Sequence, residues 1–343
     1  MVCLPSHTFR VPDLLLHVLS LFRTNQASAG LLLFLYAFIL QLPVIFGWVE
    51  VAPMSAESGV GGTWLMQWTE GHFYLSILLP VLFVTIQGIA ANVLVTRHRM
   101  SRKITQFPGL FIILCWAMVP SFQALHPVQV ATIFLLLAFL SMGRLYKKEE
   151  PAIPLFNAGA WLGMAALFSP TYLVLIPAFV IGIGILRQMA FKSIFQFLAG
   201  TLTILGLVFS YAYLTGVLPT VLSNQFSALG WWQLPTISSL QFFGLIMLAL
   251  LLLLSIAAYG TIVQMLNIEG KKNVGIQYWM LLFLLLSIFF TGASGIPSIQ
   301  VITVPLGLVL GLRFILLPES KAEFYHLLLF TAAMGATIWV LFS

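Results

Sequence analysis

The sequence contains little charge. Only 7% of its 343 residues are Asp, Glu, Lys or Arg, while 61% are hydrophobic and the mean hydropathy is +1.06. A soluble domain carries about 25% charged residues, so a chain this apolar needs the bilayer as its solvent. The net charge of +6 could suggest a nucleic-acid partner. The cations, however, lie in short clusters between apolar stretches, which argues against nucleic acid and for membrane lipid.

Cysteines and soluble-enzyme motifs are equally scarce. Cys3 lies near the N-terminus and Cys115 lies within an apolar stretch, so we expect neither a disulfide nor a metal site. The sequence has no GxxxxGK[ST] phosphate loop, no HExxH and no GxSxG. The loops between apolar stretches are too short for a nucleotide-binding domain. Any chemistry would therefore take place at a membrane face, on a lipid-borne or envelope substrate, with a divalent cation as the one cofactor to consider.

Apolar stretches make up most of the chain and predict an all-α, polytopic transmembrane bundle of about eleven spans. Lipid forces the backbone groups of each span to bond internally, which only a helix allows within a single segment. The predicted spans are residues 27–48, 73–95, 107–122, 127–143, 154–168, 170–186, 194–214, 240–263, 276–290, 299–317 and 324–342. They form a single integral membrane domain over residues 1–343. Residues 11–23 precede them without a cleavage site and predict an interfacial helix rather than a removable signal peptide.

The cations fix the expected orientation of this bundle. With eleven spans, all 15 Lys and Arg fall on one side of the membrane, whereas one span more or fewer would scatter them. The positive-inside rule makes that side cytoplasmic, so the N-terminus lies inside and Ser343 outside. We therefore expect a multi-pass protein of the bacterial inner membrane whose outer face has no Lys or Arg.

The first outer loop, residues 49–72, carries the acids of that face. A carboxylate at the outer surface could act as a general base or hold a divalent cation, which makes Glu50 and Glu57 the catalytic candidates. Glu50 ranks first because the first span would fix its position, whereas Glu57 lies in a glycine-rich stretch that predicts a mobile backbone. The residues that we assign to substrate binding on this face are Glu70, His72 and His126. Ordinary solvated loop acids would explain the same pattern without any function.

The second outer loop, residues 215–239, is uncharged and aromatic. It contains Trp231 and Trp232, which are further candidates for substrate binding. One interpretation is a helix that rests in the aromatic belt of the membrane interface. The other is a lid over the first outer loop that faces lipid or substrate.

Within the spans, the sequence predicts close packing and no ion pathway. Gly159-x3-Gly163 and Gly307-x3-Gly311 favour close helix contacts inside the bundle rather than dimerisation. The short third and fourth spans, and the short fifth and sixth, predict two helical hairpins. No span carries an ionisable residue near its middle, which argues against ion-driven transport.

The layout resembles that of integral-membrane glycosyltransferases of the GT-C type. The resemblance rests on a first span, a long outer loop with acids, a second span and paired short helices. It implies a polyprenyl-phosphate sugar as substrate and a loop acid, Glu50 or Glu57, as the base. More closely, the segments LFRTNQ, ANVLVTRHRM and FNAGAWLGMAALFSPTYL resemble a family of uncharacterised bacterial polytopic inner-membrane proteins. The chain departs from the transferase pattern because its outer face has no Asp, Lys or Arg.

Three functions remain open on the sequence alone. The first is a GT-C-like envelope protein that acts on a lipid-linked sugar, as a membrane glycosyltransferase, with His72 or His126 near the phosphate. The second is a non-enzymatic membrane subunit or scaffold that binds protein partners or lipid. The third is a facilitator for an uncharged solute. Outer cations would favour the enzyme, and their absence favours the scaffold.

Overall fold

Helices form nearly all the regular structure of this protein. The computed structural model describes residues 18–23, 28–48, 59–147, 149–227, 229–231, 233, 237–292 and 295–339. Its α-helices are α1 (Val18–Phe22), α2 (Ala29–Ile45), α3 (Val60–Thr69), α4 (Phe73–Arg97), α5 (Phe107–Ala117), α6 (Pro127–Met142), α7 (Ala152–Phe168), α8 (Ile176–Leu186), α9 (Phe191–Leu214), α10 (Leu218–Phe226), α11 (Ser239–Ala257), α12 (Tyr259–Gln264), α13 (Ile268–Ile288), α14 (Thr303–Ile315) and α15 (Glu319–Trp339). Short 3-10 helices cover Pro120–Gln123, Gly143–Leu145, Pro170–Leu175 and Ile296–Ile302.

The prediction of an all-α polytopic bundle is confirmed. Each predicted span coincides with a helix or with a 3-10 segment that continues into one. Five helical segments of the described chain are long and apolar enough to cross a membrane, namely Phe73–Arg97, Pro127–Leu145, Phe191–Leu214, Ser239–Ala257 and Ile296–Ile315. Several others are apolar but shorter. The figure of eleven spans and the orientation of the termini remain predictions.

Two short helices occupy the centre of the bundle. Every residue of α5 is buried, and α14 is buried except at Arg313. The two helices pack against each other. A Cβ at Gly307 would lie 2.5 Å from the backbone nitrogen of Ile112, and one at Gly311 would lie 2.5 Å from Pro108 Cα. The glycines therefore let the two backbones touch, as the sequence predicted for packing within the bundle.

The second glycine motif packs in the same way at the edge of the bundle. A Cβ at Gly159 of α7 would lie 1.9 Å from the carbonyl oxygen of Phe197 in α9. Gly163 lies one turn further along, where a Cβ would approach the Thr201 carbonyl oxygen to 2.9 Å. Thr201 Oγ1 donates a hydrogen bond to the Gly159 carbonyl across this contact, at 3.0 Å.

The prediction of two helical hairpins is wrong. Helix α5 packs chiefly against α14 and α4, and α6 packs chiefly against α7 and α4. Helix α7 takes α9 and α6 as its main neighbours rather than α8, which packs against α13. A 3-10 segment separates the two short helices of each expected hairpin, and α5 and α8 pack instead on α14 and α13, which are distant in sequence.

Segments that carry cations and are distant in sequence contact one another. Arg99 Nε lies 3.8 Å from Glu269 Oε2, and Arg23 Nη1 lies 3.4 Å from Glu319 Oε1. Lys272 Nζ also lies 5.5 Å from the centre of a Tyr146 ring. We call these contacting segments the basic end. The opposite end gathers the two long loops and is called the outer end below.

Candidate functional site

The first outer loop is held to the bundle where its helix begins. Gln225 of α10 donates from Nε2 to the Ala166 carbonyl at 2.6 Å and accepts at Oε1 from the Val60 backbone nitrogen at 3.0 Å. Its side chain is buried. We call Val60, Ala166 and Gln225 the clasp, because one amide joins the first outer loop, α7 and the second outer loop.

Glycine serves close packing in this loop rather than mobility. A Cβ at Gly59 would lie 2.2 Å from the Leu167 carbonyl oxygen, and one at Gly61 would lie 2.9 Å from the Phe168 ring. Gly62 is buried within α3. The predicted mobile backbone is therefore wrong from Gly59 onward, because this part of the loop is a helix pressed against α7.

The second outer loop contacts the first. Helix α10 packs on α3, and Gln225 fixes the pair to the bundle. The contact favours the interpretation of this segment as a lid over the first loop rather than as an independent interfacial helix. The part that such a lid would play toward lipid or substrate remains a prediction.

An apolar groove lies beside the clasp. It has a volume of about 390 Å³ and runs between the 3-10 segment at Pro170, Leu173 and Val174 and the chain at Gly230 and Trp231. Leu229 and Phe290 complete its lining. The 3-10 segment follows Ala166 closely in sequence, and the second wall follows Gln225, so groove and clasp adjoin.

Trp231 forms one edge of this groove. Its ring centre lies 5.7 Å from that of Phe290, and 79% of the residue is exposed. Backbone bonds hold the edge in place, since Gly230 nitrogen donates to the Phe290 carbonyl at 3.2 Å and Gly292 nitrogen donates to the Gly230 carbonyl at 2.9 Å. Trp231 is thus placed where a bound apolar chain would touch it.

Glu70 and His72 lie exposed after α3. Glu70 ends α3, and His72 Nδ1 donates to the Glu70 carbonyl at 3.0 Å. His72 precedes α4 without capping it through its side chain. In the described part of the chain, no hydrogen bond or ring contact joins either residue to His126 or Trp231.

His126 is a buried N-cap rather than a surface residue. Its Nδ1 accepts a hydrogen bond from the Val128 backbone nitrogen at 3.3 Å, at the start of α6. Nδ1 must be unprotonated to accept, so the proton of the neutral ring sits on Nε2. This Nε2 is buried and has no hydrogen-bond partner among the described residues. Burial lowers the pKa of His126 to about 4, so the ring is neutral at physiological pH.

Three glutamines surround the turn that leads to His126. Gln41 Nε2 donates to the Gln123 carbonyl at 3.0 Å, Gln123 Nε2 to the Ala117 carbonyl at 3.1 Å, and Gln129 Nε2 to the Ala124 carbonyl at 2.8 Å. Each Nε2 faces a carbonyl oxygen, which fixes how the amide is turned. The Oε1 atoms of Gln41, Gln123 and Gln129 are buried and lack a partner within the described chain. This polar turn can therefore accept hydrogen bonds from water or hydroxyl groups.

Three predicted site residues, Glu50, Glu57 and Trp232, lie outside the described residues. The structure on either side of them still affects the ranking of Glu50 above Glu57 as the candidate base. Helix α2 ends at Ile45, well before Glu50, whereas the chain is anchored again at Gly59, just after Glu57. Glu50 was ranked first because the first span was expected to fix its position, and α2 ends too early to support that reason. Among the described residues no three His, Cys, Asp or Glu side chains form a group that could hold a metal ion.

The last predicted span begins beside two buried ionisable residues. His326 of α15 is 1% exposed and its Nε2 lies 3.0 Å from the Tyr36 hydroxyl of α2. Glu323, one turn earlier, is also buried. His326 is the third residue of the span predicted at 324–342, so it does not contradict the prediction that no span carries an ionisable residue near its middle. A single His–Tyr pair is also not a relay across the membrane.

Comparison with known proteins gives one loose structural likeness. No family model matches the chain, and no curated protein matches it. The fold is similar to the crystal structure of ArnT from Cupriavidus metallidurans bound to undecaprenyl phosphate, with a TM-score of 0.47 and 15% identity. The match covers 90% of this chain, which spans 59% of the ArnT chain. No residue role or ligand passes to this chain from a match this distant.

Gln225 was not among the predicted site residues, although the pattern of α10 marks it. Leu218, Val221, Leu222 and Gln225 share one face of α10, so a polar residue stands on its apolar stripe. A buried amide at such a position must find partners in the bundle. Gln123 was missed because it lies in a 3-10 turn, where no helical period marks the buried face.

Proposed function

We propose that this protein is a GT-C-like, multi-pass protein of the bacterial inner membrane that binds a lipid-linked sugar at its outer end. One observation carries the proposal: both walls of the apolar groove follow clasp residues closely in the sequence, Pro170 after Ala166 and Leu229 after Gln225. An apolar chain in the groove would bring its polar head toward the clasp, and Glu57 precedes the clasp in the sequence.

In this proposal Glu57 is the base that activates the acceptor, with Glu50 as the second candidate. His126 can only donate, because its Nδ1 is used in capping α6. A neutral N–H would bind a phosphate oxygen weakly by comparison with Arg or Lys. The absence of cations from the outer face therefore favours the rival function, a non-enzymatic subunit that binds lipid.

Binding is tested with a photoreactive polyprenyl phosphate in membranes of the full-length protein. We expect crosslinks at the groove, and Val174→Trp should reduce them several-fold by filling it. The matched control is Leu202→Trp, which adds the same ring to an exposed position of α9. Equal labelling of both variants would show that the groove does not hold the lipid.

Turnover separates the enzyme from the subunit. Replacing a true base by Gln should lower turnover by roughly 10²–10⁴-fold while leaving probe binding intact. Glu57→Gln and Glu50→Gln are compared with Glu149→Gln at the basic end, and the readout is envelope glycan in cells that carry each variant. Unchanged glycan in the Glu50→Gln, Glu57→Gln double variant, with groove labelling retained, would rule out the enzyme and leave the lipid-binding subunit.

A further inference from the structure

The basic end contains a second cavity, which is apolar on one side and cationic on the other. It has a volume of about 240 Å³ and lies between the loop after α4 and helices α12 and α14. Ser101, Arg102 and Lys103 form its polar side. Ile262, Met265 and Leu316 belong to its apolar side. The proposed lipid-sugar site lies at the opposite end, and the two cavities share no lining residue. A ligand bound at the outer end would therefore not fill this cavity.

The loop that carries the cations has a fixed shape. Arg99 adopts a left-handed backbone with φ of 51°, which costs energy for a residue with a side chain. Gly270 of α13 packs directly on this turn, where a Cβ would lie 2.3 Å from the Arg99 carbonyl oxygen. Asn273 Nδ2 also donates to the His98 carbonyl at 3.4 Å, and Met100 is buried. The loop therefore presents Arg102 and Lys103 in a defined position rather than as part of a free tail.

Among the described residues, no acidic side chain neutralises the charges of Arg102 and Lys103. Arg99, on the same loop, has Glu269 as its partner at 3.8 Å. Within the described residues, no acid lies within ion-pair distance of Arg102 or Lys103. Both are exposed. Two unpaired cations thus stand beside a wall of aliphatic side chains at the membrane end that gathers Lys and Arg.

We propose that this cavity binds an anionic phospholipid, with the headgroup phosphate between Arg102 and Lys103 and the acyl chains along Leu316 and Met265. Both halves of the cavity are then used. A free phosphate would leave the aliphatic wall without a partner, and an uncharged lipid would leave the cations without one. Basic pockets between helices at the cytoplasmic face bind anionic headgroups for this reason. The site depends on neither the outer groove nor the loop acids.

Phosphatidylglycerol is the probe that tests this site. The full-length protein is titrated in phosphatidylcholine nanodiscs that contain increasing phosphatidylglycerol, and bound lipid is counted by native mass spectrometry. The R102Q/K103Q variant should bind phosphatidylglycerol roughly 30-fold more weakly, since each cation near the surface contributes about a factor of five. The control, K192Q/K321Q, removes two exposed lysines that do not line the cavity and should bind as the native chain does.

A second pair of variants tests the apolar side without touching the cations. Met265→Gln places a polar amide in the wall that the acyl chains would contact and should weaken binding of the anionic lipid several-fold, whereas Met265→Leu keeps the wall apolar and should not. Inorganic phosphate is added as the soluble anion and should not compete at millimolar concentration. The proposal is overturned if phosphatidylcholine binds as well as phosphatidylglycerol, if the control pair loses as much affinity as R102Q/K103Q, or if inorganic phosphate displaces the lipid.

Discussion

His126 shows how burial decides the chemistry of one side chain. The ring accepts the Val128 N–H, so protonation of Nδ1 would remove the N-cap of α6 and leave a charge in a buried site. Both effects favour the neutral imidazole. His98 at the basic end is similar, because burial lowers its pKa to about 4, and its Nε2 donates to the Leu140 carbonyl at 3.2 Å.

The buried imidazole predicts acid sensitivity. Its pKa is lower in the folded protein than in the unfolded chain, so the stabilisation is complete above about pH 6.5 and is lost as the pH falls toward 4. The loss is at most about 3 kcal/mol. Thermal unfolding in detergent at pH 7.5 and pH 4.5 measures it. His126→Asn, which can still cap α6, should reduce the difference between the two midpoints, whereas the exposed control His72→Asn should not. An unchanged difference in His126→Asn would contradict the assignment.

The sequence could place some site residues and not others. A span boundary marks His126 and an aromatic loop marks Trp231, and their assignment to substrate binding on the outer face stays a prediction. The burial of His126 could not be foreseen, since it depends on α3 and α4 covering the turn beside it through Leu65, Leu79 and Leu125. The same holds for the clasp, in which Val60 and Gln225 are brought together by packing between segments distant in sequence.

At the scale of elements, glycine decides which helices can touch. Helix α9 holds two glycines in contrasting places. A Cβ at Gly200 would lie 2.1 Å from the Phe156 carbonyl oxygen of α7, whereas Gly206 has nothing within 4 Å. Replacing each glycine by the same residue therefore distinguishes the effect of helix packing, at Gly200, from the effect of helix propensity, at Gly206.

Gly200→Leu should push α9 away from α7. Backbone atoms cannot yield as a flexible side chain can, so we expect destabilisation of at least about 1–3 kcal/mol, the usual range for overpacking. Gly206→Leu should be neutral or stabilise by up to about 1 kcal/mol, because Leu favours a helix over Gly. Denaturation in mild detergent, followed by far-UV circular dichroism, compares the two. Equal stability of both variants would show that α7 and α9 do not pack as described.

Small-residue spacing predicted where helices approach closely, but not which helices meet. Gly307 and Gly311 mark the face of α14 that touches another backbone, and nothing in their spacing selects α5 as the partner. Short loops suggested hairpins because neighbours in sequence often pack together. Here 3-10 turns at Pro120 and Pro170 separate the short helices. Helix α5 then packs on α14 and α8 packs on α13, although both partners are distant in sequence.

At the scale of the whole molecule, the basic end and the outer end differ in charge and in the kind of contact that joins their segments. Ion pairs and cation–ring contacts join the segments of the basic end. Amide–backbone bonds and an apolar groove join the segments of the outer end. If the basic end is cytoplasmic, this is the asymmetry that the positive-inside rule expects, and that orientation stays a prediction. The difference in charge was predictable from sequence because charge cannot be buried in hydrocarbon at low cost, whatever the helices do.

Single cysteines test this orientation. Cysteines replace Lys192 and Lys271 at the basic end and Glu70 and Ser223 at the outer end, all exposed positions, in a chain with Cys3 and Cys115 changed to Ser. A membrane-impermeant maleimide applied to intact cells, after opening of any outer membrane, should label 70 and 223 and spare 192 and 271. Lysed cells are the control, in which all four should react. Because α3 and α10 are clasped together, positions 70 and 223 must behave alike. Labelling of 192 or 271 in intact cells would invert the orientation, and different behaviour at 70 and 223 would contradict the clasp between the two outer loops.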